Sequence, residues 1–371
     1  EVTCLDMAEI INTTIQGVIQ SLEQSSILAK LTSLRIDDLD ETGLEKLVEL
    51  HSKGLRLKEL KLPSFLNDVS SSTLENLLEC QAESLVDLTL GGQYLQGGIT
   101  LRLGNSRYPF VMPKLKVLNF TAAIENGRRI NYIQTLVWEL DFSSQMPILE
   151  SLGLYYFTTH SYETMFPPGL DHQPYCMSLT QLVISGGTEY IAESNLILMG
   201  TLFRNVTDLT VTVRDGRCIS TVFALWQKLR TLKLIIVSGI PKLDEWFTGV
   251  IIPSAITSPD KGLNEFQELT NETTGRLALT SLQDLQDLKI IIDLRQTMGG
   301  IHSRILPSDL TAMLAIRPLQ NLKKLVINRS DITGTSVRIL RRDLNLEKCV
   351  VGDRTGNIIP LISGEDEIVE Q

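Results

Sequence analysis

The chain has 371 residues, of which 43% are hydrophobic, 6% aromatic and 21% charged. This composition excludes disordered, collagen-like and disulfide-scaffold proteins. The formal net charge is −10, from 34 Lys and Arg against 44 Asp and Glu. An acidic chain has no bulk attraction for phosphate backbones or anionic lipid, so we expect neither nucleic acid nor a membrane as partner.

Cysteine usage indicates a reducing compartment. The chain has five widely spaced cysteines, an odd number without a metal-binding spacing: Cys4, Cys80, Cys176, Cys218 and Cys349. We therefore expect a cytoplasmic protein. Five Asn-x-Ser/Thr triplets leave a secreted protein open, and they begin at Asn12, Asn119, Asn205, Asn271 and Asn328. Because the first residue is Glu1 and not Met, we interpret the chain as a fragment or a processed product.

An internal repeat organises the chain. Leu31–Ile36 has the pattern LxxLxL, and the same spacing of apolar residues returns ten more times. The later copies begin at Leu57, Leu85, Leu115, Leu149, Leu179, Val206, Leu229, Leu285, Leu322 and Leu346. Neighbouring copies start 23 to 37 residues apart, except for one gap of 56 residues, which we interpret as two units. One such copy is weak evidence, but eleven at a similar spacing predict leucine-rich repeats.

The segments between the copies predict the type of repeat. Thr42–Leu50 has apolar residues at helical spacing, and further helices are expected at 72–80, 130–140, 195–204, 221–229, 308–316 and 335–342. The sequence thus predicts an α/β leucine-rich-repeat solenoid, a horseshoe of about 11 repeats. Parallel strands would line its concave face and helices its convex face.

We expect one continuous repeat domain over 31–352, preceded by an N-terminal helical cap over 1–30. An acidic C-terminal tail would follow over 353–371. Irregular loops interrupt the regular spacing of the repeats near 91–113, 158–175 and 254–275. The last of these is predicted to be either an insertion or one eroded repeat.

Two features resemble a known family. The helical returns Asp37–Leu44 and Ser330–Val337, and the phrases Met112–Leu115 and Met146–Leu149, resemble the repeat region of F-box/leucine-rich-repeat proteins. In that family the repeats hold a substrate, while an N-terminal F-box binds the adaptor of a cullin–RING ubiquitin ligase. The resemblance covers about 31–351. It departs at residues 1–30, which have no F-box pattern, so the resemblance implies a ligase contact through an F-box missing from this chain.

The sequence has no motif for catalysis. Its four histidines include His160 and His172 in one loop, but none has a metal-binding spacing with another His or Cys. Neither a phosphate-binding glycine loop nor a nucleophile elbow is present. We therefore expect no enzyme, no cofactor and no metal.

Two candidate binding surfaces follow from the repeat pattern. Strand alternation turns the third and fifth positions of each copy away from the core. On the concave face this places Arg35, Glu59, Lys61, Asp87, Thr89, Asn119, Gln181, Asp208, Thr210, Lys233, Asp287, Lys289 and Lys324. The second candidate is the loop 158–175, which concentrates His160, Tyr162, Phe166, His172 and Tyr175. Alternatively, the strand positions are ordinary solvated residues without a binding role, and the loop is packed against the protein.

We expect a monomeric protein-binding module, and the resemblance implies substrate recognition for an F-box-type ubiquitin ligase. The alternatives are an extracellular recognition ectodomain and an immune-type repeat scaffold. The mixed charges of the third and fifth positions suit a protein partner better than a polyanion.

Overall fold

The computed structural model describes residues 4–7, 17, 28–66, 69–94, 102–103, 111–121, 124–125, 128–129, 137–138, 142–155, 162, 176–185, 191–237, 240–251, 275–293 and 306–359. The chain forms two compact units. The first unit comprises Glu1–Ile191 and Thr201–Asn205, and the second comprises Ala192–Gly200 and Val206–Gln371.

The described part of the first unit contains a parallel sheet and two small sheets. Its strands are β1 (Cys4–Met7), β2 (Ser33–Ile36), β3 (Glu59–Leu66), β4 (Asp87–Tyr94), β5 (Arg102–Leu103), β6 (Val117–Thr121), β7 (Ile124–Glu125), β8 (Arg128–Arg129), β9 (Val137–Trp138), β10 (Ser151–Tyr155) and β11 (Gln181–Ser185). The parallel sheet has the order β1-β2-β3-β4-β6-β10-β11. Outside it, β5 pairs with β9 in parallel and β7 pairs with β8 antiparallel.

The second unit also contains a parallel sheet. Its described strands are β12 (Asp208–Val213), β13 (Thr231–Ile236), β14 (Asp287–Ile292), β15 (Lys324–Ile327) and β16 (Lys348–Val351). They lie side by side in chain order.

Helices alternate with these strands. The described helices are α1 (Glu41–Ser52), α2 (Ser71–Gln81), α3 (Phe142–Gln145), α4 (Glu193–Leu202), α5 (Gly216–Leu225), α6 (Leu243–Thr248) and α7 (Gly334–Leu344). Short 3₁₀ turns cover Leu28–Lys30 and Leu279–Ser281, and a π-helical turn covers Thr311–Ile316. None of the helices in the described ranges is long and apolar enough to cross a membrane.

Polar residues fix where several helices begin. Asp40, Ser70 and Thr333 precede α1, α2 and α7, and each side chain accepts a hydrogen bond from a backbone N–H of the first turn. Such caps satisfy amide groups that have no partner within the helix.

The repeat pattern places its leucines in register. In the first unit, Leu60 of β3 pairs with Leu88 of β4, and Leu152 of β10 pairs with Leu182 of β11. In the second unit, Leu232 of β13 pairs with Leu288 of β14. All six leucines are fully buried. One repeat cannot cover its own apolar face, so stacking repeats creates the core. This confirms the predicted α/β solenoid, with a strand at each of the eleven predicted copies.

Three details of the repeat organisation differ from expectation. The segment expected to be a helical cap contains strand β1, which pairs with β2 and buries Met7. The gap of 56 residues is a single interval, because β13 is hydrogen-bonded directly to β14 with no repeat strand between them. Within the expected helix 130–140, Val137–Trp138 forms strand β9. The residues 252–274, 163–175 and 360–371 lie outside the described part of the chain.

Candidate interaction surface

The thirteen residues predicted for the concave face all lie on strands. Along several strands buried residues alternate with more exposed ones, as in Thr231–Ile236, so the side chains between the buried leucines point to the opposite side of the sheet. On β4 the alternation is weaker, because Thr89 is buried together with Leu88 and Leu90. We call this side the open face of each unit. The first unit carries Arg35, Glu59, Lys61, Asp87, Thr89, Asn119 and Gln181. The second unit carries Asp208, Thr210, Lys233, Asp287, Lys289 and Lys324.

A hydrogen-bonded ion pair lies on strand β3 in the open face of the first unit. Glu59 pairs with Lys61 on the same strand and accepts a hydrogen bond of 2.7 Å from the hydroxyl of Ser33 on β2. The contacts with Lys61 and Ser33 lower the pKa of the Glu59 carboxyl. The hydrogen bond to Glu59 raises the pKa of Lys61. Both groups are therefore held in their charged forms.

Arg35 is held at one side of this pair. Its Nε lies 3.3 Å from Oδ1 of Asp37 and 3.9 Å from Oδ1 of Asp6. The hydrogen bond with Asp37 raises the pKa of the guanidinium. Arg35 therefore keeps its charge and has two carboxylates beside it.

Asp87 is the exception in this network. Its carboxylate is half-buried, and Oδ1 is buried without a hydrogen-bond partner. Burial raises the pKa of Asp87, Lys61 nearby lowers it, and Glu59 adds to the rise. Asp87 therefore has an incomplete set of hydrogen bonds. Burying an unpaired carboxylate oxygen costs free energy.

Further along the same face, neutral side chains pack closely over a glycine. Asn119 Nδ2 lies 3.5 Å from the hydroxyl oxygen of Thr89, to which it donates. A Cβ added to Gly153 would lie 2.2 Å from Asn119 Oδ1 and 2.5 Å from Tyr155 Cε2. A side chain at position 153 would therefore require Asn119 and Tyr155 to move. Gln181 is exposed beyond these residues.

The open face of the second unit has a different electrostatic arrangement. Lys233 and Lys289 lie in register on β13 and β14, and Lys324 and Lys348 lie in register on β15 and β16. Among the residues that the structure describes, no carboxylate lies within 4.0 Å of any of these four ammonium groups. The carboxylate of Asp208 instead accepts a hydrogen bond of 2.8 Å from Thr207.

Aliphatic side chains lie beside these lysines. Ile235 pairs in register with Ile291, and Val326 with Val350. All four are only partly buried. The sequence reasoning missed Ile235 and Ile291 because it stopped at the fifth position of each copy. It also left out Val326, Val350 and Lys348, although these occupy third and fifth positions. The run Asp287–Ile292 shows the signal that could have found Ile291, since a strand longer than LxxLxL places its next alternate residue on the open face.

The predicted aromatic loop is described at one residue only. The expectation that Tyr162 is exposed is wrong: its side chain is 3% exposed, and burial raises the pKa of its hydroxyl far above the usual range. His160, Phe166, His172 and Tyr175 lie outside the described residues. The loop therefore remains a prediction at those four positions.

In the described ranges, no group of three or more His, Cys, Asp or Glu side chains could hold a metal ion. Burial raises the pKa values of the Cys176, Cys218 and Cys349 thiols, which opposes thiolate formation.

The fold and the open faces define an α/β repeat solenoid that displays charged and polar side chains from successive strands. No protein-family model matches the chain, and a search of curated proteins finds no match.

Proposed function

We propose that this chain is a protein-binding repeat module that recognises the substrate of an F-box-type ubiquitin ligase. The observation that carries the binding role is the open face of each unit, where the repeat strands of that unit add side chains to one surface. Neighbouring strands are about 4.8 Å apart, so residues of successive repeats form rows that a partner can contact at many points.

Some side chains in these rows are placed unfavourably in the isolated chain, and this also supports a binding role. Asp87 is half-buried with an unpaired oxygen, and Lys233 and Lys289 stand side by side without a carboxylate among the described residues. Arrangements that cost stability in the isolated chain can be relieved by groups of a partner. This argument applies to each unit on its own.

The cysteines and asparagines support an intracellular location. All five cysteines are free. The amides of the three described Asn-x-Ser/Thr triplets each bond within the protein. Asn119 donates to Thr89, Asn205 donates to the carbonyl of Met177, and Asn328 both donates to and accepts from the backbone of Ile292. A glycan on Nδ2 of Asn328 would have to fit beside the hydrogen bond that this nitrogen donates to Ile292.

The ligase role rests on the resemblance of the repeats to those of F-box/leucine-rich-repeat proteins. A substrate adaptor needs a broad, specific surface and no catalytic group of its own, and the open faces suit that task. Association with a cullin–RING ligase would need an F-box outside this chain.

Site-specific photocrosslinking in cells tests the binding role. A photoreactive phenylalanine at Gln181 or Lys324 samples the open face of each unit, and one at Glu45, which is exposed on α1, is the matched control. We expect discrete protein adducts from at least one open-face position and not from Glu45. Adducts should disappear when Lys61, Lys233 and Lys289 are together changed to Glu. Equal adducts from all three positions would contradict the proposal.

The ligase role has a separate readout. The crosslinked partner should accumulate when cullin modification is inhibited, and its ubiquitination should fall in the triple variant. A partner whose abundance and ubiquitination do not respond would remove the ligase role and leave the binding role. Glycans at Asn205 would favour the extracellular alternative.

A further inference from the structure

Lysines and aliphatic residues share the open face of the second unit. We call this surface the lysine–aliphatic face, and it consists of Lys233, Lys289, Lys324, Lys348, Ile235, Ile291, Val326 and Val350. Two carboxylates, Asp208 and Asp287, lie at the third strand position of the same face. The described strands thus carry four ammonium groups against two carboxylates.

Two pairs of lysines, Lys233 with Lys289 and Lys324 with Lys348, are placed where their charges repel each other, although Lys324 also lies in register with Asp287. Lys233 and Lys289 occupy matching positions on adjacent strands, about 4.8 Å apart in a sheet. The Debye length at physiological salt is about 8 Å, so salt screens this repulsion only in part. The sheet therefore holds positive charge that an anionic ligand would neutralise.

The contrast with the first unit shows that this is not a general property of the repeats. Glu59-x-Lys61 and Asp287-x-Lys289 have the same order of charges, yet only the first forms an ion pair. Lys61 is occupied by Glu59, whereas Lys289 has no carboxylate partner among the described residues. The lysines of the second unit are available to a partner.

The aliphatic residues decide which anionic partner fits. Ile235 and Ile291 adjoin Lys233 and Lys289 along the same two strands, and Val326 and Val350 follow Lys324 and Lys348. A phosphate backbone offers nothing apolar to cover these side chains. A peptide segment can present carboxylates and aliphatic groups together.

Resting on the proposed binding role, we propose that the lysine–aliphatic face binds an acidic segment of a partner protein that carries aliphatic side chains. The carboxylates of the segment pair with the lysines, and its aliphatic side chains cover Ile235, Ile291, Val326 and Val350. Charge complementarity steers the encounter, and apolar burial holds the complex.

Fluorescence polarisation with a designed peptide tests this proposal on the full chain. The probe is a labelled peptide of Glu-Asp-Leu-Ile repeats, in which each side of an extended backbone alternates carboxylate and aliphatic groups. Two further peptides serve as comparisons, one with Lys in place of Glu and Asp, the other with Ser in place of Leu and Ile. Single-stranded RNA is the polyanion comparison.

The variant pair is matched in charge. Lys233→Glu with Lys289→Glu alters the lysine–aliphatic face. Lys228→Glu with Lys323→Glu makes the same change in net charge on exposed residues of the connections that precede β13 and β15. We expect the first pair to weaken binding of the acidic aliphatic peptide about tenfold or more, and the second pair to leave it nearly unchanged. Ile235→Thr with Ile291→Thr, which keeps the β-branched shape, should also weaken it. If the Glu pair fails to fold, Lys233→Gln with Lys289→Gln provides the same comparison.

Several outcomes would overturn the proposal. They are equal binding by the two variant pairs, equal binding of the Ser-substituted peptide, and tighter binding of RNA that is lost in the Lys233/Lys289 pair. The failure of the binding role is distinguishable, because photocrosslinking from Gln181 or Lys324 would then yield no partner at all. A crosslinked partner whose contact segment is basic would overturn this inference and leave the binding role intact.

Discussion

The carboxylate of Glu41 accepts a hydrogen bond of 2.8 Å from the backbone N–H of Ser70, 29 residues further along the chain. Glu41 is the first residue of α1 and Ser70 is the N-cap of α2. The helix of one repeat therefore helps to fix where the helix of the next repeat begins. The same relationship occurs in the second unit, where Asp309 accepts from the N–H of Thr333, the N-cap of α7, at 2.8 Å.

Asp244 gives a third example at the π-helical turn. It accepts hydrogen bonds from the backbone N–H of Ser308 at 2.9 Å and from the hydroxyl of Ser308 at 2.6 Å. The hydroxyl of Thr311 donates to the same carboxylate. Because each carboxylate satisfies groups in the following repeat, these contacts couple the folding of neighbours in addition to the leucine core.

Glu41→Gln tests this coupling through the pH dependence of stability. Burial raises the pKa of Glu41, but the hydrogen bonds from Thr73 and Ser70 outweigh it, and the pKa lies below its ordinary value of 4.5. A carboxyl with a lowered folded-state pKa stabilises above its unfolded pKa and loses this effect as the pH falls through the folded value. At pH 7 the free energy of unfolding of the variant should be lower than that of the parent by about 0.5 to 1 kcal/mol. The effect is modest because the side chain is partly exposed.

Chemical denaturation as a function of pH measures this effect. The loss should shrink as the pH falls below the ordinary carboxyl value of 4.5 and through the lowered folded-state pKa, where Glu41 of the parent becomes protonated. Glu45→Gln, at an exposed position of the same helix, is the control and should change little. A pH-independent difference between Glu41→Gln and the parent would contradict the electrostatic account.

Leu182→Ala and Leu232→Ala test the repeat register in each unit. Both side chains are fully buried between neighbouring strands. Truncation should cost about 2 to 5 kcal/mol through lost burial and the cavity that remains. Gln181→Ala, on the adjacent exposed position, is the control and should stay close to the parent. Thermal denaturation midpoints report the difference, and an unchanged midpoint for either leucine variant would refute the register.

Gly216 and Gly334 form a matched pair at the first residues of α5 and α7. A Cβ at position 216 would lie 2.1 Å from Cε2 of Trp246, whose ring also lies 3.9 Å from the guanidinium carbon of Arg276. A Cβ at position 334 would meet only Ile359, at 3.8 Å. Gly216→Ala should therefore lower the free energy of unfolding by about 1 to 3 kcal/mol.

The opposite effect on stability is expected at Gly334. Gly334→Ala should raise the free energy of unfolding by up to about 1 kcal/mol, because alanine restricts the unfolded chain without a steric conflict in the folded one. Urea denaturation of both variants checks this contrast. Similar stabilities would show that Trp246 can move away from α5 at little cost.

Cysteine alkylation tests burial in the folded state. Cys218 is buried, and burial, with Asp215 and Glu193 nearby, raises the pKa of its thiol to about 12. Cys4 is exposed. Because the thiolate is the reactive form, iodoacetamide should modify Cys4 in the native protein and Cys218 only after denaturation. Mass spectrometry of the alkylated peptides measures both, and comparable native rates would contradict the assigned burial.

The sequence by itself determined the repeat and its register. Residues such as Leu60 and Leu232 could be placed in the core, and Lys61 and Lys233 on the opposite side, because side chains alternate along a strand and an unsatisfied apolar face must be covered by the next repeat. Strand β1 was within reach of the same reasoning, since Val2, Leu5 and Met7 have the spacing of the repeat.

Only the tertiary structure decided which strands are neighbours across long gaps and which charges are paired. The direct pairing of β13 with β14 could not be read from a 56-residue spacing, because sequence distance does not state how many strands lie between. Lys61 forms an ion pair with Glu59, which is also held by Ser33 of β2, whereas Lys289 stands beside Lys233 of β13. The electrostatic environment of a side chain depends on residues that stacking brings to adjacent strands, and those lie tens of residues away in the sequence.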